Sequence, residues 1–416
     1  MGPRKIITTC GILYIISQIF FLINIQFPRG HCFDEFHYVP SAKQFLQLKE
    51  NQNWEHPPLG KLIMAAGIGL FGDRPIGWRF MSTVFGAMTL VGMYLWGLAL
   101  FKDDKIALWI AMVTLFNNLL YVQARIGMLD TFMFGFLVLG LAGFTYVLFN
   151  DLGKRKNKCL LVLIGLMFGL AMACKWAAVV PWLMCIALAL CGRVYKGFTR
   201  FSIPLVLVSL LVVPVITYFM SFIPLFLSAG PKRGFMDLFL MQKTMWEGQL
   251  RVVSSHPYMS KWTDWAVLRR PIWYAFDKEN GPHQSFVRGV VLLGNPIVMW
   301  CGLAAILSCL WSWIKDRRVD AFLIAFFYIG FYLCWAAIPR KISFYYYYYP
   351  AGMTLSLALA YVFHYGEQGK LFKIRWARWT FLGAVSLLFV YFFPILAALK
   401  IPADSFRKWM WLSGWI

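Results

Sequence analysis

Charge is scarce in this chain, and acidic charge scarcer still: 14% of the 416 residues are charged, and 18 Asp and Glu stand against 40 Lys and Arg. With 60% of residues hydrophobic, so little charge excludes a water-soluble domain of this size and leaves an integral membrane protein. The nine cysteines fall mostly within apolar runs and form no CxxC pair, which argues against a disulfide framework and against a zinc cluster. A net charge of +22 would point to nucleic acid in a soluble protein, but no basic groove with interleaved aromatics accompanies it. The positive-inside bias accounts for it instead, and no nucleic-acid partner is expected. No small-residue cleavage site follows the apolar run after Arg4 and Lys5, so Ile6 to Phe27 is expected to stay as a first span. Ile6 also stands where an N-myristoylation motif needs Ser or Thr. Internal repeats are missing too, whereas a transporter would show repeated halves with broken helices.

What is present is a series of apolar runs near or above the roughly 20 residues that cross a bilayer, and a helix satisfies its own backbone there. They predict an all-α membrane bundle of about eleven spans in a single domain, 1–416. The spans fall near 6–27, 76–100, 106–122, 127–149, 159–174, 176–192, 201–228, 289–314, 320–338, 344–364 and 379–397. With the N-terminus in the cytoplasm, each short basic turn lies inside: Lys102 and Lys105; Lys154 to Lys158; Arg193, Lys196 and Arg200; Lys315 to Arg318; and Lys370, Lys373, Arg375 and Arg378. Segments 28–75 and 229–287 are then the extracytoplasmic loops, which form the active-site face.

Chemistry-bearing residues collect on that outer face. Asp34 and Glu35 follow the first span; His56-Pro57-Pro58 and Lys61 come next; Arg125 and Asp130 stand at a span entry and Lys175 at a hinge between two apolar runs. His256, Tyr258, Lys261, Trp265 and Arg270 lie in the long loop, and Arg340 near the tenth span. Charges at membrane depth are costly and by default mark function, most naturally as acid/base groups and phosphate binders. A carboxylate just beyond a span is partly shielded from water, which suits it to hold a hydroxyl proton or a cation. Bland readings stand beside these. HPPLGK can be a turn opening a surface helix, Arg79 a snorkelling side chain rather than a phosphate ligand, and Lys175 an interfacial anchor. Arg125 and Asp130 are five apart, which does not stack them on a helix, so they are expected to act separately. Tyr345 to Tyr349 reads first as an interfacial aromatic belt and second as the wall of a substrate groove.

In order, FDEFHY at 33–38, EHPPLGK at 55–61, ARIGMLD at 124–130, ACKW at 173–176, HPYMSKWTDWAVLRRPIWY at 256–274 and LGNP at 293–296 resemble the protein O-mannosyltransferases. The resemblance implies a GT-C glycosyltransferase fold, a polyprenyl-phosphate-mannose donor, and Ser or Thr of exported proteins as acceptor, in the cell (inner) membrane. It also implies Asp34 as base, Glu35 as supporting carboxylate and Arg79 as a candidate for the donor phosphate. His56, Lys61, His256, Lys261 and Arg340 form the pool for further contacts. The MIR domain of eukaryotic relatives has no counterpart between the seventh and eighth spans, which resembles a bacterial form. Ala266 stands where the family usually has proline, which bears on acceptor choice. No cofactor is required; a divalent metal on Glu35 and a histidine is left open, as is a dimer. The rival is another transferase of the same fold, moving aminoarabinose or a similar sugar to lipid A or a glycan.

Overall fold

The computed structural model describes residues 2–150, 153–192, 198–230, 232–251, 256–338, 340–368 and 376–416. The first helices are α1 (Pro3–Leu22), α2 (Glu35–Leu46), α3 (Leu59–Phe71), α4 (Pro75–Phe101), α5 (Asp104–Leu115), α6 (Asn118–Gln123), α7 (Leu129–Phe149), α8 (Lys154–Cys174) and α9 (Val179–Cys191). Helices Pro296–Asp316, Val319–Ala337, Tyr349–Gln368 and Ala377–Leu396 complete the bundle, and Ile203–Leu227 forms a further span with a π-helical stretch at Leu207–Val212. Among the described residues, seven helices are long and apolar enough to cross a membrane. Three shorter apolar helices, Leu59–Phe71, Lys158–Cys174 and Trp176–Cys191, fall below that length.

Local chemistry explains where spans break. The single span expected near 106–122 is two helices, because Asn117 leaves the helical region and its side chain accepts from Leu119 N–H, capping α6. Lys175 adopts an extended backbone between α8 and a short 3-10 turn, the hinge its position implied. The span expected from 289 starts later, at Pro296, with Asn295 as its cap. Residues before it belong to a hairpin, β1 (Ile272–Asn280) with β2 (Ser285–Leu292), extended by β3 (Ile401–Pro402). This small sheet is absent from the all-α expectation. A short apolar run of strand cannot be told from the start of a helix by hydropathy alone.

Helices run between two unlike ends. α1 starts at Arg4 and Lys5, with Lys5 on Asp104 at 2.9 Å, while α4 starts beside Arg79 and stops at Lys102. α7 starts at Asp130, and α8 runs from Arg155, Lys156 and Lys158 to Lys175. Basic turns thus gather at one end of the bundle and the candidate site at the other. Arg193, Lys196, Lys370, Lys373 and Arg375, assigned to the basic side from sequence, lie outside the described residues.

Candidate active site

The site begins with a backbone turn. Phe33 has φ 51°, the left-handed region that a bulky L-residue enters only at a cost of about 1–3 kcal/mol. Its ring is held by His256, Tyr274, Phe344 and Tyr346, with centroids 5.2–5.9 Å away. Beyond the turn, Asp34 and Glu35 enter opposite surroundings: Glu35 is fully buried, and Asp34, at the head of α2, stays partly open.

Glu35 is locked. Arg79 Nε and Nη2 donate to its two oxygens at 2.8 Å each, a bidentate pair, while Gly127 N–H and Cys32 N–H donate at 2.8 and 3.0 Å. Burial alone would raise its pKa, but Arg79 and these donors outweigh burial and hold it below the usual carboxylate range. Glycine at 127 leaves room for this approach: a Cβ there would press on the Glu35 side chain at 3.2 Å and on the Met64 methyl at 2.9 Å. Arg79 gives its remaining donors to the carbonyls of Ile25, Pro28 and Gly30 at 3.3, 2.6 and 2.9 Å, so the guanidinium is consumed. The expectation that Arg79 grips the donor phosphate is therefore corrected: it anchors the loop that presents Asp34.

Two other expected ligands are also staples. Lys61 Nζ donates to Asn53 O, Asn53 Oδ1 and His56 O at 2.6, 3.2 and 3.0 Å, which uses all three of its hydrogens and holds the EHPP loop in shape. Burial pushes its pKa down to about 7, against the opposing pull of Glu55. Arg125 donates to Leu396 O, Asn24 O and Phe27 O, tying together the ends of two spans. As expected from their spacing, Arg125 and Asp130 do separate jobs.

Around Asp34 the arrangement is different. Tyr38 Oη donates to Asp34 Oδ2 at 3.1 Å. Burial raises the Asp34 pKa; Lys175 and the Tyr38 hydroxyl pull it back, and Asp130 adds to the rise. Lys175 is paired with Asp130 at 2.7 Å and lies over the rings of Tyr346 and Tyr347, at 4.8 and 5.0 Å. Arg340 lies over Tyr347 at 5.0 Å, with no carboxylate or carbonyl partner for its guanidinium among the described residues, and its Nε is buried without one. His56, half-buried with its ring 6.0 Å from that of Tyr38, is held well below the usual imidazole pKa by burial and then by Lys175, Arg340 and Lys61. It is neutral at pH 7 and offers one donor and one acceptor nitrogen.

The long loop reaches the site through His256, whose ring packs on Phe33 and Phe344 at 5.3 Å each and whose Nδ1 accepts from Tyr258 N–H. Lys261 is exposed at the loop's outer side. Arg270 donates to Pro257 O at 2.8 Å and lies over Tyr258, so it shapes the loop. Trp265 is buried, donates to Ser260 Oγ and packs edge-on against Trp335 and Tyr347. Tyr345 to Tyr349 are all buried, so the interfacial-belt reading is corrected: the run is an inner wall, with Tyr346 and Tyr347 turned toward Lys175. Sequence reasoning missed Tyr38 and Tyr274, ordinary aromatics at the edges of recognisable motifs. No group of three His, Cys, Asp or Glu that could hold a metal ion occurs among the described residues, and Glu35, engaged by Arg79, does not fit as a ligand.

Removing the Tyr38 hydroxyl removes a donor that favours the ionised carboxylate. Tyr38→Phe is expected to move the acid limb of the pH–rate profile to higher pH, whereas loss of packing alone would lower the rate without moving that limb.

Comparison with solved structures defines the fold. The chain superposes on the S. cerevisiae protein O-mannosyltransferase Pmt1-Pmt2 complex bound to the sugar donor with TM-score 0.82 at 17% identity, covering 100% of this chain and 93% of that one. ArnT from Cupriavidus metallidurans follows at TM-score 0.60 and 15% identity, over 86% of this chain and 60% of that one. The molecule thus has the GT-C-like fold of these proteins, a polytopic helical membrane bundle. Residues 55–220 match the family model of dolichyl-phosphate-mannose-protein mannosyltransferase, and residues 234–415 that of the C-terminal four-TMM region of protein-O-mannosyltransferase. The polyprenol-phosphate-mannose–protein mannosyltransferase of Corynebacterium glutamicum is 26% identical, over 92% of this chain and 88% of the relative. This chain belongs to the protein O-mannosyltransferase family.

Proposed function

We propose that the site transfers mannose from a polyprenyl-phosphate-mannose donor to Ser or Thr hydroxyls of exported proteins in one inverting displacement. The observation that carries this reading is the division of labour in the Asp34-Glu35 pair: Glu35 is saturated, while Asp34 stays partly open with the Tyr38 hydroxyl as its side-chain donor. Asp34 accepts the acceptor's hydroxyl proton as that oxygen forms a bond to the anomeric carbon. The bond from that carbon to the phosphate oxygen breaks, and its electron pair leaves with polyprenyl phosphate. Arg340, with unspent donors, takes the phosphate role first assigned to Arg79, and Lys175 adds positive charge from its place beside Asp130. Neutral His56 suits hydrogen bonding to sugar hydroxyls, and the His256–Tyr258 turn borders the acceptor side. The site faces outward from the cell membrane, with the N-terminus and the basic turns in the cytoplasm.

The test is transfer of radiolabel from polyprenyl-phosphate-mannose to a Ser/Thr-rich peptide by purified protein in lipid. Label in the peptide supports the reading; label in lipid A or a glycan from an aminoarabinose donor, with none in the peptide, would replace it. In the same assay Arg340→Ala is expected to lower kcat/KM for the donor by about 100-fold, and Arg340→Lys by less, because lysine keeps the charge but not the bidentate fork. An unchanged Arg340→Ala enzyme would remove that residue from the phosphate site.

A further inference from the structure

At the end of the bundle away from Asp34, a groove of about 570 Å³ opens between α1 and α8 across the α4 and α7 pair. Its walls are apolar, with Ile6, Leu139 and Ile164 among them, and Ala99, Ala142 and Gly143 keep its floor deep. In a bilayer such a groove has no preference of its own, because lipid tails are as apolar as its walls. Its rim supplies the preference. Asp104 is already paired with Lys5 at 2.9 Å and accepts from Tyr94 Oη at 2.7 Å, and among the described residues no carboxylate pairs with Lys102 at the mouth. Lys102 sits at φ 54°, a helix-terminating conformation that glycine adopts without strain, so the cation stands where a residue with no side chain would be relaxed. Arg155, Lys156 and Lys158 are exposed at the start of α8, which forms the facing wall, and among the described residues none of them pairs with a carboxylate.

We infer that this groove is a binding site for an anionic phospholipid, with one acyl chain lying against Leu139 and Ile164 and its phosphate held by Lys102 and the basic start of α8. The polyprenyl tail of the sugar donor is the weaker candidate: its far end carries no charge, and the basic rim would give it nothing to bind.

Wild-type protein in nanodiscs would be irradiated with phosphatidylglycerol carrying a diazirine in its acyl chain, and the labelled peptides mapped. Cross-links concentrated in Leu139–Tyr146 and Leu160–Met167, and several-fold weaker with a matched phosphatidylcholine probe, are expected. Equal labelling by both probes, labelling spread evenly over lipid-facing sites such as Leu387 and Val390, or displacement of the label by polyprenyl phosphate would overturn the assignment. As a second readout, Lys102→Glu is expected to lower retained phosphatidylglycerol about tenfold by native mass spectrometry. Leu163→Trp, at a position 49% exposed on the groove wall, is expected to empty the groove with the fold intact. Unchanged retention in both would equally reject the site.

Discussion

Asp34→Asn is expected to lower peptide mannosylation by about 10³-fold while leaving the protein folded. Asparagine keeps the shape of the side chain and still offers an oxygen to the Tyr38 hydroxyl, so the packing around α2 has no reason to change. What it loses is the carboxylate basicity that the proposed mechanism needs to take the acceptor's proton. Burial already disfavours the charged form of Asp34, so replacing it by a neutral group removes a desolvation cost, and thermal stability is expected to be equal or slightly higher. The measurement is the radiolabel assay beside a melting curve. Equal label from wild type and Asp34→Asn would strike Asp34 from the mechanism; loss of label together with loss of fold would mean that the carboxylate is structural.

Arg79→Met is expected to behave in the opposite way, destabilising the protein by about 3–5 kcal/mol, enough to deplete folded protein on purification. The change strands the Glu35 carboxylate in a fully buried setting and orphans the carbonyls of Ile25, Pro28 and Gly30 together. Glu35→Gln keeps one acceptor oxygen, enough for Gly127 N–H or Cys32 N–H but not both, so it is expected to cost stability as well. Size-exclusion yield and melting temperature check this. A phosphate ligand would give a different result: Arg79→Met would then fold normally and fail only in donor binding.

Much of this architecture could be read from residue order. Lys175 declared itself by interrupting two apolar runs, and Asp34 by standing just past a span. The parity of basic turns ordered the chain, because charge distribution is a one-dimensional property. Pairings are not. Glu35 and Arg79 are 44 residues apart and meet only once α4 and the loop before α2 fold together, so either charge alone looked available for chemistry. Lys61 and Arg125 misled for the same reason: both are buried and hold backbone carbonyls, and carbonyls carry no sequence signal. Arg340 was visible only as one cation among several until its competitors proved occupied. The tyrosine run failed on direction, since hydropathy cannot say whether a buried ring faces lipid or protein.

The adjacency of Asp34 and Glu35 has a consequence for how the reaction's barrier is composed. Glu35 is held by donors from Arg79, Gly127 and Cys32, so the peptide unit it shares with Asp34 is held too, and Asp34, the base proposed above, keeps only the rotations of its own short side chain. Little ordering of the base is left to occur when the two substrates meet, and the activation entropy should then be dominated by bringing the lipid and the polypeptide together.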